Sequence, residues 1–143
     1  MSLIVKTVAR VTTGLILLYG MYIIIHGHVS PGGGFAGGVI VALAFVLLVL
    51  AFGKKFTMEK ISVSRASLVE SLGAIMFLAI ALAGFAGGYF FLNFFTNKGE
   101  PFRVFSAGII PLCNIAISLK VAAGLFAIFM ILVILESTVK KDK

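Results

Sequence analysis

Four long apolar stretches, separated by short polar or glycine-rich ones, make up this chain. The first runs from Thr7 to Ile25, is broken only by Arg10, and stops at His26-Gly27-His28. The second, Phe35 to Phe52, and the third, Leu72 to Leu92, contain no charged residue. The fourth, Val104 to Leu135, is too long for one unbroken helix. Pro111 marks where its spanning helix begins after an interfacial lead-in, because proline fits the first turn of a helix. About 20 apolar residues in helical form cross about 30 Å of hydrocarbon. The pattern therefore predicts helices at 7–25, 35–52, 72–92 and 111–135, an all-α polytopic membrane protein whose residues 1–143 form a single transmembrane domain. Lys6 and Arg10 ahead of the first apolar core give it the look of a secretory leader. No small-x-small site follows and more spans come after it, so it is read as a retained helix.

Composition agrees. Of the residues 61% are hydrophobic and 12% charged, with a mean hydropathy of +1.19, whereas a soluble domain is about half apolar and a quarter charged. There is too little polar surface to face water, so lipid is the solvent. The net charge of +7 is not a nucleic-acid footprint, because the basic residues sit at the ends of the apolar stretches. Lys6 and Arg10 precede the first span, Lys54, Lys55, Lys60 and Arg65 lie between the second and third, and Lys140, Lys141 and Lys143 follow the fourth, nine in all. The opposite side has two, Lys98 and Arg103. The positive-inside rule then puts both termini in the cytoplasm of a cell-membrane protein.

Small residues mark packing faces, since helices in lipid associate by close contact rather than by hydrophobic burial. Gly34, Gly38 and Ala42 form such a stripe on helix 2, Gly84 with Gly88 and Ala83 with Gly87 on helix 3, and Ala116, Ala123, Gly124 and Ala127 on helix 4. Three such faces suggest partners outside the chain; the alternative is that they all meet inside it.

The segment from His26 to Gly38 is the most unusual in the sequence. Gly32, Gly34 and Gly37 match G-x-G-x-x-G, but no strand precedes them and no Walker lysine follows, so neither nucleotide motif applies. Pro31 fixes one φ and the run Gly32, Gly33, Gly34 permits positive φ, which reads as a sharp turn into helix 2 with Phe35, Gly37 and Gly38 on its first turns. The turn either lets backbones pack closely or lines an ion path. His26 and His28 are two apart and far from Cys113, so no metal or other cofactor is expected; a proton-relay role for the histidines stays open. Cys113 reads as a small buried hydrophobe.

Lys120 is the one ionisable residue expected inside a span, about 13 Å along the helix from Pro111. It either snorkels to the outer surface or faces protein or a water-filled cavity. Among the carboxylates, Glu59 and Glu100 fall in loops, Glu70 and Glu136 at cytoplasmic ends and Asp142 in the tail. On that reading none lies mid-membrane, none can pair with Lys120, and the chain cannot exchange cations or export drugs alone. No catalytic site is expected.

His28-x-Ser30-Pro31-Gly32-Gly33-Gly34-Phe35-x-Gly37-Gly38 followed by an apolar span resembles the B subunit of the multisubunit Mrp-type Na⁺/H⁺ antiporters. A second block strengthens the likeness: Ser106-Ala107-Gly108, Ile110-Pro111-Leu112, Asn114-Ile115-Ala116 and Leu119-Lys120-Val121-x-x-Gly124-Leu125, similar to that family's last helix. The resemblance covers essentially the whole chain. It implies a small non-catalytic subunit beside other Mrp-type membrane subunits, with Na⁺ and H⁺ as the ions moved by the complex. Homologous subunits serve archaeal membrane-bound hydrogenase and sulfane-sulfur reductase. The absence of Gln and the presence of only three Asn lean toward a thermophile and such a respiratory complex. Within this setting the chain either helps form an ion path through the turn and Lys120 or serves assembly alone.

Overall fold

The computed structural model describes residues 2–53, 62–93 and 107–139. These contain four long helices: α1 Leu3–His26, α2 Gly33–Phe52, α3 Val63–Ala83 and α4 Ile110–Val139. One turn of 3-10 helix, Gly84–Gly87, prolongs α3. All four are long and apolar enough to cross a bilayer, so the chain is a multi-pass membrane protein. The loop residues Lys54, Lys55, Glu59, Lys60, Lys98, Glu100 and Arg103, together with Ser106 and the tail residues Lys140, Lys141, Asp142 and Lys143, lie outside the described residues.

The helices differ from the apolar stretches mainly at their ends. A backbone helix continues through polar residues as long as its amides are satisfied, and serines supply the caps. The Ser2 hydroxyl accepts from the amide of Val5 at 3.4 Å, so α1 includes Lys6. The Ser62 hydroxyl accepts from the amide of Arg65 at 3.3 Å, so α3 starts at Val63 and not at 72, and it carries Ser64, Arg65, Ser67 and Glu70 within its first turns. The far end of α3 is also corrected. It stops at Ala83 because Gly88 takes a left-handed φ of 107° and the chain folds back. A Cβ on Gly84 would sit 2.8 Å from the amide of Phe91. Gly84, Gly87 and Gly88 therefore end the helix and form no packing stripe.

Helix α4 is the hub. Helices α2 and α3 both pack along it, and α1 packs along the other side of α2. Val49, Ala66, Phe126, Ala127 and Met130 form a buried cluster where α2 ends and α3 begins, with Phe45 and Phe126 edge to face at 5.9 Å. The stripes of α2 and α4 are met largely inside the chain. Gly37 and Gly20 appose α1 and α2, and a Cβ on Gly38 would lie 2.9 Å from the Ser118 carbonyl oxygen of α4. The expectation that these stripes await outside partners is corrected accordingly.

Candidate functional site

The turn between α1 and α2 is closed by α4. After His26 the amides of Val29 and Ser30 both donate to the His26 carbonyl at 2.9 Å, and the Ser30 hydroxyl donates to the same oxygen at 3.2 Å. Gly32 at φ 151° and Gly33 at φ 85° then redirect the chain into α2. The residue that caps α2, Gly32, has no side chain to accept an amide. Asn114 of α4 does it instead: its Oδ1 accepts from Gly34 at 3.3 Å. Close approach makes this possible, since a Cβ on Gly34 would collide with the carbonyl oxygen of Asn114 and lie 2.9 Å from its Cα. The Nδ2 of Asn114 is buried without a hydrogen-bond partner among the described residues, close to Gly27. His26 stacks on Tyr22 with centroids 4.2 Å apart, and its Nδ1 lies 3.2 Å from the Tyr22 carbonyl oxygen. His28 is half-buried, whereas Pro31 and Phe35 are exposed. Pro111 is the second residue of α4.

The second feature joins α3 to α4. Lys120 Nζ lies 3.8 Å from Glu70 Oε1. A glycine on each helix brings the pair together. A Cβ on Gly73 would be 2.8 Å from the Lys120 amide nitrogen and 2.9 Å from the Ala116 carbonyl oxygen, so the two backbones nearly touch. Gly124 leaves open the space against which the Glu70 carboxyl rests, 3.4 Å from where a Cβ would stand. At the usual helical rise, Gly73 is about 15 Å from the start of α3 and Lys120 about 15 Å from the start of α4. Because these helices run antiparallel and the two residues are level, Lys120 sits about halfway across the spanning segment.

This overturns the expectation that Glu70 cannot pair with Lys120. The apolar stretch defined the span by its uncharged part only, while α3 begins nine residues earlier, about two and a half turns, and includes Glu70. It also removes the premise that no carboxylate lies within the spans. The exclusion of independent cation exchange does not stand on that ground. Glu70 and Gly73 were the residues sequence reasoning missed; the signal was their helical spacing with Ala66, at i, i+4 and i+7, beneath the polar residues that masked it.

Arrangement and relatives agree. The family model described as a domain related to the MnhB subunit of Na⁺/H⁺ antiporter matches residues 4–127. The chain belongs to the MnhB family. An uncharacterized protein of Methanocaldococcus jannaschii is 39% identical over 98% of this chain and 57% of its own length. A candidate antiporter subunit of Staphylococcus aureus, mnhB2, is 35% identical over 52% of this chain and 57% of its own length. A chain in the solved structure of the membrane-bound sulfane sulfur reductase, an archaeal respiratory membrane complex, is similar with a TM-score of 0.75 and 37% identity, covering 90% of this chain and 56% of that one. The MnhB-family chain thus spans little more than half the length of these relatives.

In this MnhB-family fold the two sequence blocks meet. Gly34 and Gly38 of the first lie against Asn114 and Ser118 of the second. The opposite side of the second block, Lys120 and Gly124, turns toward Gly73 and Glu70 of α3. The blocks are one site at the turn; Lys120 is in another.

Proposed function

We propose that this chain is a small, non-catalytic membrane subunit of a Mrp-type cation/proton antiporter module, supporting Na⁺ or H⁺ translocation within a multisubunit complex in the cell membrane. In this reading both termini face the cytoplasm. Family membership over residues 4–127 supports the antiporter setting. The likeness to a chain of an archaeal respiratory membrane complex supports a setting in which the module is joined to a redox enzyme. The observation that carries a direct role in ion movement is the Glu70–Lys120 pair. An isolated ion at the centre of a span costs about 2.5 to 3.5 kcal/mol on insertion scales, so ionisable residues there are kept for function. The pairing halves the problem without abolishing it, because ammonium and carboxylate are 53% and 38% exposed on this chain.

A purely structural role is the alternative. What favours it is that the glycines of the turn, with Asn114, close helix contacts inside the chain. The test is Na⁺-driven proton movement in everted vesicles carrying the assembled complex, with this subunit present, deleted, or carrying Lys120→Met. Loss of transport in an assembled Met complex supports the ion path; intact transport supports assembly alone. Intact transport by the complex lacking this subunit altogether would refute both.

A further inference from the structure

We infer that the Glu70–Lys120 pair is a docking point for a transmembrane helix of a neighbouring subunit that presents neutral hydrogen-bonding groups, hydroxyls, carboxamides or unwound backbone, at mid-membrane depth. The inference deepens the multisubunit reading above and rests on it. Among the described residues neither side chain makes a hydrogen bond, and their one polar contact is the 3.8 Å approach to each other. An ammonium has three donors and a carboxylate about four acceptor sites, so most of their capacity is unmet. Both remain substantially exposed on the chain's surface. Hydrocarbon offers no donor or acceptor inside the span, and at the usual helical rise Glu70 is about 10 Å and Lys120 about 15 Å from the nearer ends of their helices, farther than either side chain reaches.

The pair also limits what the neighbour can be. Glu70 already balances the charge of Lys120, so a fixed charged side chain on the neighbour would stand uncompensated in a medium where that is most costly. Neutral groups meet the remaining donors and acceptors without it. Helix α3 is the least covered of the four: 17% of its most apolar window is buried, against 28% to 33% in the others. The surface beside the pair is open too. Gly124 and Ile128 follow Lys120 at four-residue steps on one stripe of α4, and Ile128 is 58% exposed.

The test uses the complex purified from native membranes through a tag on this chain. With Ile128→p-benzoylphenylalanine, irradiation is expected to attach the chain to a different integral membrane polypeptide, whose cross-linked segment carries neutral polar residues. The double variant Glu70→Leu with Lys120→Leu is expected to insert normally yet recover that polypeptide at least tenfold less well. A photoadduct with lipid alone or with a second copy of this chain, a cross-linked segment with an ionisable residue against the pair, or unchanged recovery in the double variant would overturn the inference. The cross-link is made with the pair intact, so it decides even if the double variant fails to accumulate. A wild-type chain that purifies with no other membrane polypeptide would sink the multisubunit reading and the inference with it. A lipid photoadduct in an otherwise complete complex would sink the inference alone.

Discussion

The carboxamide oxygen of Asn114 accepts the amide hydrogen of Gly34 at 3.3 Å, across eighty residues of chain. A helix end left without a capping acceptor costs about 1 kcal/mol, and here the acceptor is supplied by another span. Asn114→Ala should therefore loosen α2 from α4 and lower the thermal midpoint of the detergent-solubilised complex. An unchanged midpoint would show that the α2 amides find another acceptor.

Gly33 and Gly34 should be intolerant for different reasons. Gly33 has φ 85°, where an L side chain costs about 1 to 2 kcal/mol, whereas Gly34 lies against the α4 backbone. Val at either position should reduce recovery of assembled complex. Gly14 is the control: nothing approaches its Cβ position within 4 Å, and Ala is favoured over Gly inside a helix by up to about 1 kcal/mol. Gly14→Ala should leave assembly intact, and equal damage at positions 14, 33 and 34 would contradict the packing described.

Gly73→Ala should separate α3 from α4. The new methyl would stand 2.8 Å from the Lys120 amide nitrogen and 2.9 Å from the Ala116 carbonyl oxygen. Neither is the end of a flexible side chain, so the helices have to part, at the 1 to 3 kcal/mol typical, very roughly, of overpacking. A lower thermal midpoint together with slower transport is expected, because Glu70 and Lys120 part with the helices. A normal midpoint would mean the two backbones are farther apart than described.

The four spans were legible because about 20 apolar residues have few alternatives to crossing a membrane. Pro111 and the turn from Pro31 to Gly34 were legible because proline and glycine act through their own backbones. What stayed hidden depended on two segments at once. Nothing local to Gly34 says that Asn114 caps it, and nothing local to Gly84 separates a packing glycine from a helix stop. Glu70 was misplaced because a sliding apolar pattern ends at the first cluster of polar residues, while the helix itself, capped by Ser62, does not.

Reporter fusions test the orientation. A reporter after Lys143 and another beside Arg65 should both read as cytoplasmic, and one near Lys98 as external, from the asymmetry of basic residues across the spans. Agreement between the Arg65 and Lys98 reporters would contradict four crossings.

The most direct measurement is Na⁺-dependent proton movement in everted vesicles holding equal amounts of assembled complex with Lys120 or with Lys120→Met. Methionine removes the ammonium and leaves the Glu70 carboxyl to a neighbour, so the comparison is made at equal amounts of inserted, assembled complex. If the pair serves ion movement, transport should fall at least tenfold, equivalent to about 1.4 kcal/mol or more on the barrier, with the subunit composition unchanged. A wild-type rate in the Met complex would contradict that role and leave a subunit that holds its neighbours together.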